Sequence, residues 1–556
     1  MAENLFDFLE TIPDHEGAHA PWAARAPRRA EARYDVKLVP RAHAWQQDPA
    51  SLAALERIEA QPWVSSVTRD DSGVELRLDD GWIESTGAAL EAGGTAEATL
   101  ADLAHGQRYS VQFWDANATK ALHVGHLRNL STGNAIAAAL AQAGGQVERR
   151  SLISDTGRSM GEAMAGVKNS GRHAHSWPDG GQKSDHFVGD CYANYVADAL
   201  ATTGGAADGD GQTQYPEDSQ TRELTVQHDI ADDLLKRVLA GDRDTIELWY
   251  KTRAWVIAGQ RKTLARLDVA FDRVFFESDF LEDGVELIAA GLRDGRLRRR
   301  EDGVVVYPTG IDGFEELPLL RPDGMSTQHM RALVYWSAAP DLQGVISMQI
   351  AGSEWASGTV CRRQLQVEMQ PPAGVHPTHD IYNAMVSNQK RAITSSEGAL
   401  LIDDLIDWVD GQIDGDATWR EICRGHPAPE RMAPQVALGY FLPYPVAKPL
   451  EFDPQKLLRE SDSLGWDLVR ARAQRSTTAG PGQPANDPEY RFAVVQSELY
   501  RQHLRVAVER FDVSRLALYL KHLAHWHLER DRGEHVERVV HTLLDRSARG
   551  LGLEAA

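Results

Sequence analysis

His123, Val124, Gly125 and His126 stand where an apolar strand pattern gives way to a long helical one. Two imidazoles and a glycine at a helix start suit an anion. Backbone N–H groups and the helix dipole favour negative charge, and glycine permits close approach. Imidazole N–H groups can also donate to charge developing on a phosphoryl group. Phosphate chemistry is therefore the preferred reading. A pair of surface histidines and a metal-binding pair remain open on spacing alone, since positions i and i+3 share a helix face.

The elements around this tetrapeptide are those that a phosphate site needs. YSVQFW (109–114) reads as a strand, ATKALHVGHLRNLSTGNAIAAALAQA (118–143) as a helical run stopped by Gly144-Gly145, and QVERRSLIS (146–154) as the next strand. Strand, loop, helix and strand make a βαβ unit, the opening of a nucleotide-binding parallel sheet.

Upstream, residues 1–35 join an acidic start to a basic, Ala/Pro-rich stretch and read as a poorly packed extension. Residues 36–105 read as a small α+β domain, with SLAALERIEA helical and SSVTRDDSGVELRL forming two strands about a DDSG turn. Residues 106–415 read as the α/β domain. Within it, 165–225 is rich in Gly, Asp and Ser and reads as an insertion with two flexible connections. A helical connecting region (416–485) and an all-helical end (486–556) follow.

Composition bounds the function. The 556 residues carry 59 Lys+Arg against 81 Asp+Glu, a net −22, which excludes binding of nucleic acid by bulk positive charge but leaves room for a local basic patch. VRARAQR (469–475) is the better candidate for such a patch, and the Arg-rich stretch at 291–302 is as readily a solvated helix end. Three scattered cysteines exclude a disulfide scaffold and a thiolate zinc site, and suit a reducing compartment. The N-terminus lacks the pattern of a secretory signal, and no run approaches the ~18 apolar residues of a membrane span. A cytoplasmic protein with no membrane partner is expected, and a monomer. His522, His525 and His527 share a helical segment, but their spacing does not gather three ligands on one face, so no metal site is expected. Trp249, Trp255 and Trp466 fall at apolar helical positions and read as core.

The stretch Asn117–Arg128 resembles the HIGH-motif region of class I aminoacyl-tRNA synthetases, in particular those of the arginyl type. Ser154-Asp155-Thr156-Gly157, LAGDRDTIELW (239–249), LARLDVAFDRVFFESDFLEDG (264–284) and Asp323–Thr327 resemble later blocks of that family in the same order. The N-terminal piece is similar to the family's additional tRNA-binding domain, and the last 65 residues to its anticodon-binding domain. The resemblance implies a Rossmann-type core of class I topology, with ATP and Mg2+ used to form an aminoacyl-adenylate that acylates tRNA. It also implies roles. His123 and His126 would contact the phosphates, Gly125 would let the nucleoside pack close, and Asn117 would hold the amino acid's α-amino or carboxylate group.

Two places depart from the family pattern. The KMSKS loop corresponds best to Ala392-Ile393-Thr394-Ser395-Ser396, with both lysine positions replaced, by Ala392 and Ser395. ATP contacts from Ile393, Thr394, Ser395 and Ser396 remain expected. Lys120, just before the first motif, occupies the place of a substituting lysine, and Lys390 and Arg391 are further candidates. In the amino-acid pocket, the family's tyrosine and aspartate positions hold Gln328 and Ala332, and Trp355 follows Glu354 where an amide belongs. A guanidinium wants a planar carboxylate partner, and its loss from a desolvated site costs about 3–5 kcal/mol. Glu354 and Asp115 are candidates to replace it. The expectation is an arginine–tRNA ligase-like enzyme with an altered pocket. The alternatives are a paralogue that activates a different amino acid and transfers it to a small molecule, and a non-catalytic binding protein.

Overall fold

The computed structural model describes residues 5–11, 22–27, 29–30, 32–40, 45–92, 100–171, 181–202, 229–338, 342–369, 378–384, 386–388, 391–392, 400–475 and 484–553. Strands β1 (Trp22–Arg25), β2 (Val36–Pro40), β3 (Val64–Asp70) and β4 (Gly73–Leu78) form an antiparallel sheet in the order β1-β2-β4-β3. The helices 49–59 and 80–91 attached to it begin at Asp48 and Asp79, whose carboxylates accept from the backbone N–H groups of Ser51 and Trp82. Gly73 is required in the β3–β4 turn, because it sits at φ +140° and a Cβ there would lie 2.1 Å from the Leu38 carbonyl oxygen.

The second sheet is wholly parallel. Its strands are β5 (Arg108–Gln112), β6 (Gln146–Ile153), β7 (Arg273–Phe276), β11 (Ile346–Gly352) and β12 (Thr378–Asn383), ordered β12-β11-β5-β6-β7. Between β7 and β11 the chain makes a small antiparallel sheet from β8 (Arg298–Arg299), β9 (Val305–Ile311) and β10 (Phe314–Leu320). Because β5 lies between β6 and β11, the winding direction reverses there. The carboxyl ends of β5 and β11 at this reversal are the place where open parallel sheets form the crevice that holds ligands.

Helix 124–142 carries β5 over to β6 and is buried on nearly every side, as its Ala-rich, all-round apolar sequence requires. Gly133 lets it lie against the Phe113 ring. Asn134 and Gln142 on the same helix donate to the carbonyls of Gly552 and Arg546, fastening the parallel sheet to the C-terminal helices 488–510, 514–528 and 534–550. Arg128 donates to four backbone carbonyls, those of Ala384, Pro445, Val446 and Lys448. Among the described residues no helix is long and apolar enough to cross a membrane.

Three expectations need correction. In the N-terminal extension, Leu5, Phe6, Leu9 and Trp22 are buried in the main core. Leu5 N–H donates to Glu498 at 3.0 Å, so the described part is packed, its apolar residues outweighing the Ala/Pro-rich composition. Within the insertion, helix 184–202 packs on its neighbours, with the Phe187 ring against Trp255 and Ser184 Oγ donating to the Trp255 carbonyl. The flanking 172–180 and 203–228, with His173 and His175, lie outside the described residues. Third, the arginines of VRARAQR do not form one free patch: Arg472 is buried, Arg470 is half-buried and Arg475 is exposed. Arg472 is buried against Asp545, Arg470 pairs with Glu460, and Arg475 donates to backbone carbonyls. Trp249, Trp255 and Trp466 fill core positions.

The N-terminal sheet docks onto helix 488–510 through one buried ion pair. Arg491 Nη2 lies 2.6 Å from Asp35 Oδ2 and Nε lies 3.1 Å from Oδ1, with Arg491 1 % exposed. The same guanidinium reaches Asp80 and the Leu78 carbonyl. Replacing Arg491 by Met leaves buried Asp35 with only the 3.4 Å contact of Arg77 and the Leu78 N–H, and should cost about 3 kcal/mol, read as a lowered thermal midpoint. An unchanged midpoint would show that the pair is dispensable. The C-terminal helices also bury His527 and half-bury His541, and desolvation pushes their pKa values down to about 3 and about 4. The unfolded chain therefore binds protons that the folded chain does not between pH ~6.5 and ~4, and stability should fall as pH falls through that window. The drop in thermal midpoint from pH 7 to 5 should be smaller in His527→Phe than in the parent chain.

Candidate active site

The loop leaving β5 is held by backbone pairing and by one buried amide. Ala118 N–H donates to the Ser154 carbonyl at 2.8 Å, and Ser154 N–H to that of Ala116 at 3.1 Å, extending the β5–β6 contact past the strand ends. Gln260, fully buried in helix 243–266, donates to the carbonyls of Asn117 (3.1 Å) and Lys120 (2.8 Å). Asn117 and Lys120 are thereby presented at the carboxyl edge of the sheet, and Lys120 Nζ lies 6.0 Å from the centre of the Tyr192 ring.

His123 is the N-cap of helix 124–142. Its Nδ1 accepts from the Gly125 N–H at 3.1 Å, while His126 Nδ1 accepts from the His123 N–H at 3.2 Å. This is a reciprocal capping box built from imidazoles. An accepting Nδ1 places the ring proton of each neutral histidine on Nε2. Burial, the neighbouring ring and the Lys120 ammonium push His123 well below the ordinary histidine value. Burial, followed by Lys120, brings His126 to about 3. With ring centres 3.9 Å apart, the two histidines present neutral Nε2–H donors at a helix N-terminus, with Lys120 as the nearby cation.

The same strand end is tied to the second motif. Val124 N–H donates to the Leu400 carbonyl and Ile402 N–H to the Leu122 carbonyl, both at 3.0 Å. Ile393, Thr394, Ser395 and Ser396 lie outside the described residues, as does Lys390. On their near side β13 (Val386–Asn388) pairs with β14 (Arg391–Ala392), and on their far side the chain joins His123 itself.

The expected amino-acid residues lie on the other layer. Tyr109 and Phe113 face helix 124–142, so by strand alternation Ser110 and Gln112 face helices 328–338 and 356–369. Gln328 and Ala332 stand in the first turns of helix 328–338, with Ala332 buried. Trp355, at the end of β11, sets its ring 6.1 Å from that of His329. Glu354 is exposed and folds back over Gly352, where a Cβ would meet its carboxylate at 2.2 Å, so the structure does not bring it into the pocket. Asp115 is in the crevice. Its carboxylate opens to the cleft yet is ringed by protein, accepting from Gln112 (2.7 Å), Gln349 (3.4 Å) and the Leu152 N–H (3.2 Å). Burial pushes it up to about 6, against the lowering effect of those hydrogen bonds.

Two buried ion pairs behind these residues, Glu277–Arg331 and Asp155–Arg253, were not legible in the sequence. Glu277, at the end of β7, accepts from Arg331 Nε (2.5 Å) and Ser154 Oγ (2.8 Å), and burial raises it to about 7. Asp155 takes Arg253 Nη1 and Ser278 Oγ, each at 2.7 Å. Arg331 packs on Gly157 at φ +82°, where a Cβ would lie 2.8 Å from its Nη2. Gln112 and Gln349 carried a legible signal, as lone amides inside the otherwise apolar strands YSVQFW and ISMQIAG. Glu277 and Arg331 are 54 residues apart and nothing local marks them as a pair.

Residues 94–317 match the family described as tRNA synthetases class I (R), catalytic domain. The arginine–tRNA ligase of Borrelia turicatae is 30% identical over 228 residues, covering 40% of this chain and 35% of that protein. That of Amoebophilus asiaticus is 31% identical over 227 residues, covering 40% and 36%. The chain thus spans about a third of the length of these curated relatives. The arginyl-tRNA synthetase of Thermus thermophilus superposes over 96% of this chain and 94% of its own, with a TM-score of 0.64 at 19% identity. That of Plasmodium falciparum covers the same shares with a TM-score of 0.60 at 12% identity. The fold is therefore that of class I synthetases along nearly the whole chain, and residues 94–317 are similar to the catalytic domain of the arginyl type.

Proposed function

We propose that this chain activates an amino acid with ATP and transfers it to tRNA, through an amino-acid pocket altered from one that takes arginine. The observation that carries the reading is the imidazole capping box at the switch point of the sheet. It offers two neutral Nε2–H donors and backbone N–H groups, with a lysine beside them, to one phosphate-sized anion. In the first step a carboxylate oxygen of the amino acid bonds to the α-phosphorus of ATP and the bond to the β-phosphate oxygen breaks, releasing pyrophosphate. His123 and His126 hold the phosphoryl oxygens, and Lys120 offsets charge that the missing loop lysines would otherwise meet. The donor set here is N–H and ammonium, which suits phosphate oxygens. Mg2+, a hard cation that prefers oxygen ligands, would be carried by the triphosphate. The buried thiols of Cys191, Cys361 and Cys423, none of them in a disulfide, support a cytoplasmic setting.

The altered pocket rests on Ala332 and Trp355, and on the pairing of Glu277 with Arg331, which leaves that carboxylate no room for a substrate guanidinium. A small-molecule acceptor is the second reading, favoured by the withdrawal of Arg472 from the 470–475 stretch into a buried pair with Asp545. His123→Ala and His126→Ala should each lower ATP–pyrophosphate exchange by about 10²-fold or more, with the thermal midpoint checked alongside. An unchanged rate in a folded variant would remove the phosphate role. Ala332→Asp should raise the use of arginine, measured by exchange with and without total tRNA. Full arginine activity in the unchanged chain would overturn the altered pocket.

A further inference from the structure

The layer opposite helix 124–142 contains buried polar atoms that the fold leaves without hydrogen-bond partners. They include Gln112 Oε1 and Gln349 Oε1 on the adjacent strands β5 and β11, and both ring nitrogens of His329. His329 is 2 % exposed, and its ring lies against Gly358, where a Cβ would sit 2.2 Å from the ring carbon. Gly358 is one helical turn before Arg362, so His329 and Arg362 occupy one face of helix 356–369.

Arg362 is the unusual group. It is 7 % exposed, and its guanidinium donates to Thr359 Oγ1 at 2.5 Å, with no carboxylate in ion-pair range among the described residues. Every cation around it is already answered. Arg363 pairs with Asp380 at 3.1 Å and stacks on Trp336, and Arg331 pairs with Glu277. Burial draws Arg362 down to about 10, which still leaves it charged at neutral pH. Asp380 and Asp115 attract this buried cation from beyond ion-pair distance, and neither closes a hydrogen bond on it.

An anion bound at Arg362 is distinct from the carboxylate that reacts. That carboxylate must reach the phosphate at His123 and His126, which cap a helix on the opposite face of the sheet. We propose that Arg362, with His329 beside it, selects an amino acid whose side chain ends in a carboxylate, of the aspartate–glutamate class. This rests on the reading that the chain activates an amino acid. Arg362 takes the side-chain carboxylate on its free N–H groups. His329 supplies one ring N–H, and the Trp355 ring lies over His329 at the pocket's edge.

The test measures binding and activation separately on the full chain. L-glutamate and L-aspartate are titrated calorimetrically beside L-glutamine, L-asparagine and L-arginine, and the same panel is run in ATP–pyrophosphate exchange with and without total tRNA. One acidic amino acid should bind at least tenfold more tightly than its amide. Arg362→Met should weaken that binding by about thirtyfold or more, and Arg362→Lys by less. Binding of the amides should change little. Equal binding of acid and amide by the unchanged chain, or no binding of either acid, overturns the inference whether or not the variants fold. Exchange with a neutral or basic amino acid alone overturns it while leaving amino-acid activation intact. Tight, Arg362-dependent binding of the acid without exchange supports the inference and overturns activation.

Discussion

Helix 124–142 is buried along almost its whole length, so its first N–H groups cannot rely on bulk water. Everything at the carboxyl edge of the parallel sheet follows from how that end is satisfied. A serine or aspartate cap would close it with an oxygen and present acceptors or negative charge to the crevice. Histidines close it with Nδ1 and keep an N–H on the far side of the ring, so one residue satisfies the helix and addresses an anion. Burial makes this work, because two protonated rings with centres 3.9 Å apart would repel each other and lose the accepting nitrogens.

The cap also organises distant segments. The strand entering it pairs with Leu400–Ile402, and Gln260 fixes the loop before it. Two faces of one sheet thereby acquire different chemistry. On the helix 124–142 face, donors gather around the helix start. On the other face, amides, an imidazole and a guanidinium lie under helices 328–338 and 356–369. Asp115 stands at the boundary between them, open to the crevice and held by groups from three strands or strand ends.

The parallel core was legible from sequence because strand, glycine-containing motif and helix are contiguous there, and each local preference agrees with the final fold. The all-helical end was legible for the same reason. The N-terminal extension was misread because composition weighed more than its few large apolar residues. Leu5, Phe6, Leu9 and Trp22 find their burial against distant segments, including Glu498 on helix 488–510. The site divides in the same way. His123, His126, Asn117 and Lys120 lie within ten residues of one another and could be read together. Glu277 with Arg331, and His329 with Arg362, meet only through tertiary packing, and Glu354 could be named from sequence but not oriented.

The Arg491–Asp35 pair joins segments 456 residues apart. On a ribosome adding roughly 5–20 residues per second, Asp35 emerges on the order of half a minute or more before its guanidinium is made. During that interval only the Leu78 N–H and Arg77 of its own sheet answer Asp35, so the side that later meets helix 488–510 stays wet and its docking is deferred. The last helices of the chain thus complete the first domain. Closing so long a loop adds only logarithmically to the entropy of assembly, but it makes the final docking a late, non-local event.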